Sequence, residues 1–264
     1  MRLDWEFQPN RLRGFVRVIV AIGGSCSIAW ALLMYPALRH EAAFAAAAQH
    51  ILSGEQYSAA QLNELRSQLG SSSVSSYRPS ILNDIAVIRL RLVEADLALG
   101  QAPAADLDDL QQSVDAALDR DPSRSFLWLT AYWLQKLRSG GAAADLGLLR
   151  MSDLTGPNEA WIAVRRVPLA LSVFPSLPAD LEGRTFAEFA GLVRSGLYQD
   201  AANILAGVGW PFRDRLVGAL AHVNKAYRTG FAWVLRARNL DVIPDEDEVV
   251  YPNSEKIQRR HQEE

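Results

Sequence analysis

Apolar residues in this chain recur three and four positions apart over most of its length, and one stretch is apolar without interruption. From Val18 to Leu38 there is no charged side chain. A helix of about 20 apolar residues crosses the roughly 30 Å hydrocarbon core of a bilayer, so the pattern predicts a single transmembrane helix over residues 15–39. Gly23, Gly24, Ser25 and Ser27 dilute its hydrophobicity, but small residues suit close helix packing and hydroxyls bond back to the helix. These four are the candidate membrane-helix packing residues. Tyr35 and Pro36 fall near the far interface, where aromatic rings are favoured. Arg2, Arg11, Arg13 and Arg17 precede the stretch and only Arg39 follows it closely. Basic residues are retained on the cytoplasmic side. The expectation is a cytoplasmic head over 1–14, with Trp5 and Phe7 at the inner headgroups, and a body outside. In a bacterium this means a single-pass inner-membrane protein with a periplasmic domain. A cleaved signal peptide is the rival reading, with Ala43-Phe44-Ala45 as a cleavage site, but a signal's apolar core is usually about 7–15 residues. Cys26 follows Gly23-Gly24-Ser25 and lacks the aliphatic residue that a lipidation site needs.

The remainder reads as helices separated by glycine and proline breaks. The first runs from Glu41 to Leu52, continuing the membrane helix with a kink at Pro36, and the next from Ser58 to Leu69. Gly70 to Ser76 is a linker by composition. A third helix follows Pro79, with Ser80 near its N-cap and Ile81, Ile85, Ile88, Leu92, Ala95 and Leu99 on one face. Leu82, Leu90 and Leu97 lie elsewhere on it, so it is expected to be covered on more than one side. Further helices are expected at 104–118, 125–138, 142–151, 158–171, 179–195, 199–206 and 212–239. The sixth-from-last of these is aromatic-rich, Pro168 should kink the last turn of its helix, and the final long helix has an interruption near Gly230. β-branched runs are scarce. All of this makes an all-α body over 40–240, followed by a polar, acidic, disordered tail over 241–264.

A spaced repeat runs through the body. Glycine turns stand between paired helices at Gly54, Gly100, Gly140 and Gly196. In Ser195-Gly196-Leu197-Tyr198-Gln199-Asp200-Ala201-Ala202 the glycine is followed by an aromatic two residues on, Tyr198, and by Ala201 three later. Pro211 closes the unit, and Ser53-Gly54-Glu55-Gln56-Tyr57-Ser58-Ala59-Ala60 is a looser copy. This resembles a degenerate tetratricopeptide repeat over roughly residues 41–215, although two of the four turns lack the aromatic. The resemblance implies a TPR-like α-solenoid of antiparallel helix pairs that binds proteins or peptides on a concave face; an ordinary α-bundle is the plainer alternative.

Composition narrows the chemistry. A net charge of −3 gives no basic footprint for nucleic acid. The single cysteine, Cys26, excludes an internal disulfide. His40, His50, His222 and His261 form no HExxH pair, so neither metal nor cofactor is expected. There is no phosphate-binding glycine loop and no G-x-S-x-G elbow. Trp128, Tyr132, Trp133 and Trp161 are candidates for a partner-binding groove, with inter-repeat core as their other reading. Arg165 and Arg166 lie in an apolar setting, as does Glu188, and a charge so placed needs a partner. The expectation is that Glu188 pairs with one of the two arginines; an anion site is the other use, and both arginines join the partner-binding candidates. Asp180, Glu182 and Glu188 are the one carboxylate set that could serve a glycosidase-like enzyme.

The sequence thus points to a non-enzymatic scaffold or adaptor, held at the bilayer and binding membrane or periplasmic proteins. Its layout resembles accessory proteins of bacterial envelope or surface-polysaccharide machinery. The alternatives are a structural subunit of an integral membrane complex and an α/α polysaccharide-modifying enzyme.

Overall fold

The computed structural model describes residues 9–70, 81–101, 104–139, 145–240 and 242, with the side chains of all of these except 9–16, 18, 34 and 36–40. The described residues are helical, with no strand among them. The chain divides into two compact units, Met1–Pro122 and Ser123–Glu264, so the boundary falls inside the stretch expected as one body. The 71–76 linker, Ser80, the Gly140 turn, most of the head and nearly all of the tail lie outside the described residues.

The first unit holds α1 (Pro9–Leu52), α2 (Ala59–Gly70), α3 (Leu82–Ala98) and α4 (Ala104–Arg120). The expected membrane helix and the first body helix are one continuous helix, α1. Its two halves differ in environment. Described side chains from Ile19 to Leu33 are all exposed, whereas Phe44, Ala47 and Ala48 are buried against the unit, where α1 meets α3. Among the described residues no helix is long and apolar enough to cross a membrane, so the expected span is not found there. Residues 15, 16, 18, 34 and 36–39 of the expected span carry no described side chains.

α2 begins in a capping box. The Ser58 amide donates to Gln61 Oε1 at 2.9 Å, and the Gln61 amide donates back to Ser58 Oγ at 3.3 Å. α3 is the centre of the unit, meeting α1, α2 and α4. Its apolar residues face several ways, and Ile85, Ile88, Leu90 and Val93 are all buried. Arg89 is buried among them. It donates to the Asp109 carbonyl and to Ser113 Oγ, each at 2.7 Å, which fastens α3 to α4.

The second unit holds α5 (Ser125–Arg138), α6 (Leu146–Thr155), α7 (Ala160–Leu171), α8 (Ala179–Arg194), α9 (Tyr198–Ala206), α10 (Arg213–Gly218) and α11 (Lys225–Ala237). Consecutive helices pack as pairs, α5 with α6 and α7 with α8, and α9 packs on α8 and α11. α8 ends at Gly196, whose φ of +76 suits a residue without a Cβ. The Gly196 amide bonds the Val193 carbonyl at 3.1 Å and the Leu197 amide bonds the Leu192 carbonyl at 3.0 Å, a Schellman ending. α1 and α3 end in the same way at Gly54 and Gly100, and α11 does so at Asn239.

Two expected elements are corrected. α6 starts at Leu146, capped by Asp145 Oδ1 accepting from the Gly147 amide at 2.8 Å, and it runs on to Thr155. The long final helix is instead α10, a short 3-10 turn over Ala219–His222, and α11. The break is not at Gly230 but at Val223 and Asn224, both extended, where Asn224 Oδ1 accepts from the Ala226 amide at 2.9 Å and starts α11 afresh. Gly230 stays helical because it is a contact: a Cβ there would lie 2.8 Å from the Tyr198 ring.

Tyr132 is wholly buried, and its hydroxyl has no hydrogen-bond partner. A buried, unsatisfied polar group costs about 1–3 kcal/mol. Burial also raises the phenol pKa above its ordinary 10.0. A raised folded pKa gives stability that is fully present below the unfolded value and is lost as pH rises through the folded value. Tyr132→Phe should therefore raise stability by about 1 kcal/mol at neutral pH, and its advantage over the natural chain should grow above pH 10.0. Urea unfolding followed by helical circular dichroism at pH 7 and in alkali measures both parts.

Candidate functional site

One buried arginine joins several helices of the second unit. Arg166, on the inner face of α7, is 2% exposed. Its Nε donates to both oxygens of Glu188 on α8, at 2.9 and 3.0 Å, and its Nη2 reaches Glu188 Oε1 as well. Nη2 also donates to the Gly156 carbonyl at 2.9 Å, while Nη1 donates to Ser152 Oγ at 2.9 Å and Ser125 Oγ at 3.2 Å. Ser125 Oγ in turn donates to the Ser152 carbonyl at 2.6 Å. One guanidinium therefore joins α5, α6, the turn after α6, α7 and α8, with every N–H group used. The expected partner of Glu188 is Arg166, and Arg165 on the outer face takes no part.

The tie requires a glycine. A Cβ at Gly156 would lie 2.6 Å from Ser125 Cβ and 2.8 Å from its Oγ. The close passage of this backbone is what brings the Gly156 carbonyl to Arg166.

Beside the tie lies an open cleft of about 330 Å³. Asp153 and Glu188 contribute carboxylates to it, Ala160, Ala163, Ala187 and Gly191 are its small-residue walls, and Arg184 and Arg194 also line it. Asp153 is 4% exposed and is held by Arg184 Nη1. Burial pushes the Glu188 pKa above the usual glutamate value; Arg166 pulls it back, and the neighbouring Asp153 carboxylate adds to the rise. Asp153 and Arg184 were not singled out from sequence. Asp153 stands in the mixed segment Leu149-Arg150-Met151-Ser152-Asp153-Leu154, which carries no apolar pattern to mark it.

The aromatic candidates do not form one face. Tyr132 is in the core and Trp128 and Trp133 are half-buried, while Trp161 is 44% exposed and stacks on Phe126 at 5.2 Å between centroids. Arg165 lies over that Phe126 ring at 5.7 Å. Of the partner-binding candidates, Tyr132 and Arg166 are buried. In the turns, Ala201 is fully buried, and Tyr198 packs on Gly230 and lies 6.5 Å from Phe231. On α1, nothing among the described residues beyond the helix's own backbone and chain neighbours lies within 4 Å of a Cβ built at Gly23 or Gly24, Ser25 is exposed, and Ser27 Oγ donates to the Gly23 carbonyl at 2.9 Å.

The three acids of the enzyme alternative are held by three different arginines. Arg150 hydrogen-bonds Asp180 at 3.0 Å and keeps its carboxyl below the usual range, Arg215 holds Glu182 at 2.9 Å, and Arg166 holds Glu188. Only Glu188 lines the cleft, so no two of these acids face one substrate there. Among the described residues no group of three or more histidine, cysteine or acidic side chains is placed to hold a metal ion. No protein-family model matches the chain, and neither a curated protein nor a solved structure does.

Removing one partner of a buried pair leaves an uncompensated charge. Glu188→Ala should cost about 3–5 kcal/mol. The double change Arg166→Met with Glu188→Leu should be less damaging than that single one, because no charge stays buried. Gly156→Ala should cost about 1–3 kcal/mol through crowding of Ser125. Urea midpoints of the three variants test the ranking; a Glu188→Ala protein as stable as the natural chain would remove the tie from its central place.

Proposed function

We propose that this protein is a membrane-anchored interaction protein, a scaffold or adaptor whose helical pairs, similar to degenerate tetratricopeptide units, hold protein partners. In this reading α1 fixes the chain in a bacterial inner membrane, with the head in the cytoplasm and the helical units in the periplasm. The partners are other membrane or periplasmic proteins of an envelope assembly.

The observation that carries the reading is the environment of α1. Ile19, Val20, Ile22, Ile28, Trp30, Leu32 and Leu33 are each more than half exposed, and they face all sides of the helix. A helix that is apolar all round belongs inside a core or a bilayer, and so much exposed apolar surface marks an interaction site. Supporting the body's role, the turn from α8 to α9 has the compact form described above. Confinement to a membrane raises the effective concentration of a binding surface near membrane partners.

Cys26 offers a direct test, being the only cysteine of the chain and exposed along α1. In sealed inner-membrane vesicles it should resist a membrane-impermeant maleimide and should react once detergent is added. Equal labelling before and after detergent would overturn the anchor. A second test is Ile22→Arg with Ile28→Arg, which should shift the protein from the membrane pellet to the soluble fraction.

A further inference from the structure

Three helices of the first unit bring charges to one place. Arg66 of α2 reaches Asp96 of α3, its Nη2 2.6 Å from Oδ2, and the same Nη2 lies 4.0 Å from Oδ2 of Asp106 on α4. The carboxyl groups of Asp96 and Asp106 hydrogen-bond each other. Such a bond needs a proton, because an ionised carboxylate only accepts. Arg66 bonds Asp96 directly and only approaches Asp106, so the shared proton belongs on Asp106. Arg89 does not serve the pair. Its guanidinium donates to the Asp109 carbonyl and Ser113 Oγ and lies 3.8 Å from the Asp109 carboxylate.

Little else holds α2. Leu65 and Leu69 are its buried residues, and a cavity of about 100 Å³ remains where it meets α3 and α4, lined by Arg66, Leu69, Leu92, Val93 and Asp106 among others. We propose that Asp96 and Asp106 form an acid-operated clasp: a proton taken up by Asp106 bridges the two carboxyls, removes their repulsion and locks α2 onto α3 and α4, and loss of that proton loosens α2 and opens the apolar seam at Leu69, Leu92 and Val93. The groups facing Asp106 are Arg66 from α2, Asp96 from α3 and, on its own helix, Asp109. Burial raises the Asp106 pKa above its ordinary 3.8; Arg66 opposes the rise, and the hydrogen bond and charge of Asp96 and the charge of Asp109 add to it. A carboxyl with a raised folded pKa stabilises the closed form fully below 3.8, and that contribution is lost as pH rises through the folded value. The clasp therefore tightens on acidification, opposite to an ordinary surface ion pair.

The inference concerns the first unit alone and does not rest on the membrane reading. Hydrogen exchange of the full chain in detergent micelles, followed by mass spectrometry and corrected for the intrinsic rate at each pH, reads the opening of α2 directly. From pH 7 to pH 4.5, protection of α2 peptides should rise about threefold, relative to peptides of α5, which has no acidic residue. Asp106→Asn, whose amide donates to Asp96 as the protonated carboxyl does, should show the acid level of protection at both pH values. Arg66→Gln should loosen α2 at both while leaving α5 unchanged. Protection of α2 that is flat or falls on acidification, a pH response kept in Asp106→Asn, or α2 protection unchanged by Arg66→Gln would each overturn the proposal.

Discussion

The Arg166 guanidinium is the point on which the second unit depends. A charge taken out of water is unfavourable by several kcal/mol unless its partners are well placed, and here they are supplied by three other helices and a turn. No single pair of helices could satisfy it. Ser125 and Ser152 must be small and polar, Gly156 must be bare, and Glu188 must face inward from α8. Each condition fixes a neighbour's position, so the network acts more on which packing is adopted than on how stable that packing is. Hydrophobic residues filling the same space could hold the unit together, but they would not define the rotation of α7 against α5, α6 and α8 as closely.

The first unit uses the same device in reduced form. Arg89 is buried on α3 and is met by the Asp109 carbonyl and Ser113 Oγ of α4. Arg66 on α2 bonds Asp96 on α3 at 2.6 Å, next to Asp106, whose pKa is raised mainly by burial. In both units an arginine spans helices through a carbonyl or hydroxyl as well as a carboxylate. A helical protein built from leucine and alanine has cores that tolerate sliding, because such side chains are interchangeable in shape. Buried arginines with directional bonds remove that freedom. This gives the alanine- and glycine-walled cleft a fixed floor.

Local rules were legible in the sequence, and long-range ones only where a charge broke an apolar pattern. The start of α2 at Ser58, the end of α3 at Gly100 and the α8–α9 turn follow from capping and glycine chemistry within a few residues. The pairing of Glu188 with an arginine of α7 was legible because both stand in apolar runs. Which arginine was not: Arg165 and Arg166 are neighbours, and only the phase of α7 in the assembled unit turns one inward. Asp153 and Arg184 escaped for a related reason, since an acid in a short helix and an arginine on a mixed face look like solvated surface until the helices meet. The break at Asn224 was masked by the apolar spacing on either side, which continues as if one helix ran through. Gly230 resembled a break and is a contact, because the Tyr198 ring that needs its missing Cβ lies on another helix.

α1 shows what sequence pattern does and does not decide. Along one unbroken helix the chain changes from side chains exposed on every face to Phe44, Ala47 and Ala48 buried on one face. The second half follows the ordinary rule for an amphipathic helix, and α3 covers its apolar side. The first half has no polar face to turn to water, so no rotation or packing against a single flat partner could bury it. Only a surrounding apolar medium, or several helices at once, satisfies a segment of that kind. Its glycines and serines leave the backbone open to close approach, and Ser27 already returns its hydroxyl to the Gly23 carbonyl, which spares an apolar surrounding an unsatisfied polar group. The body below is locked by arginines and needs no such cover.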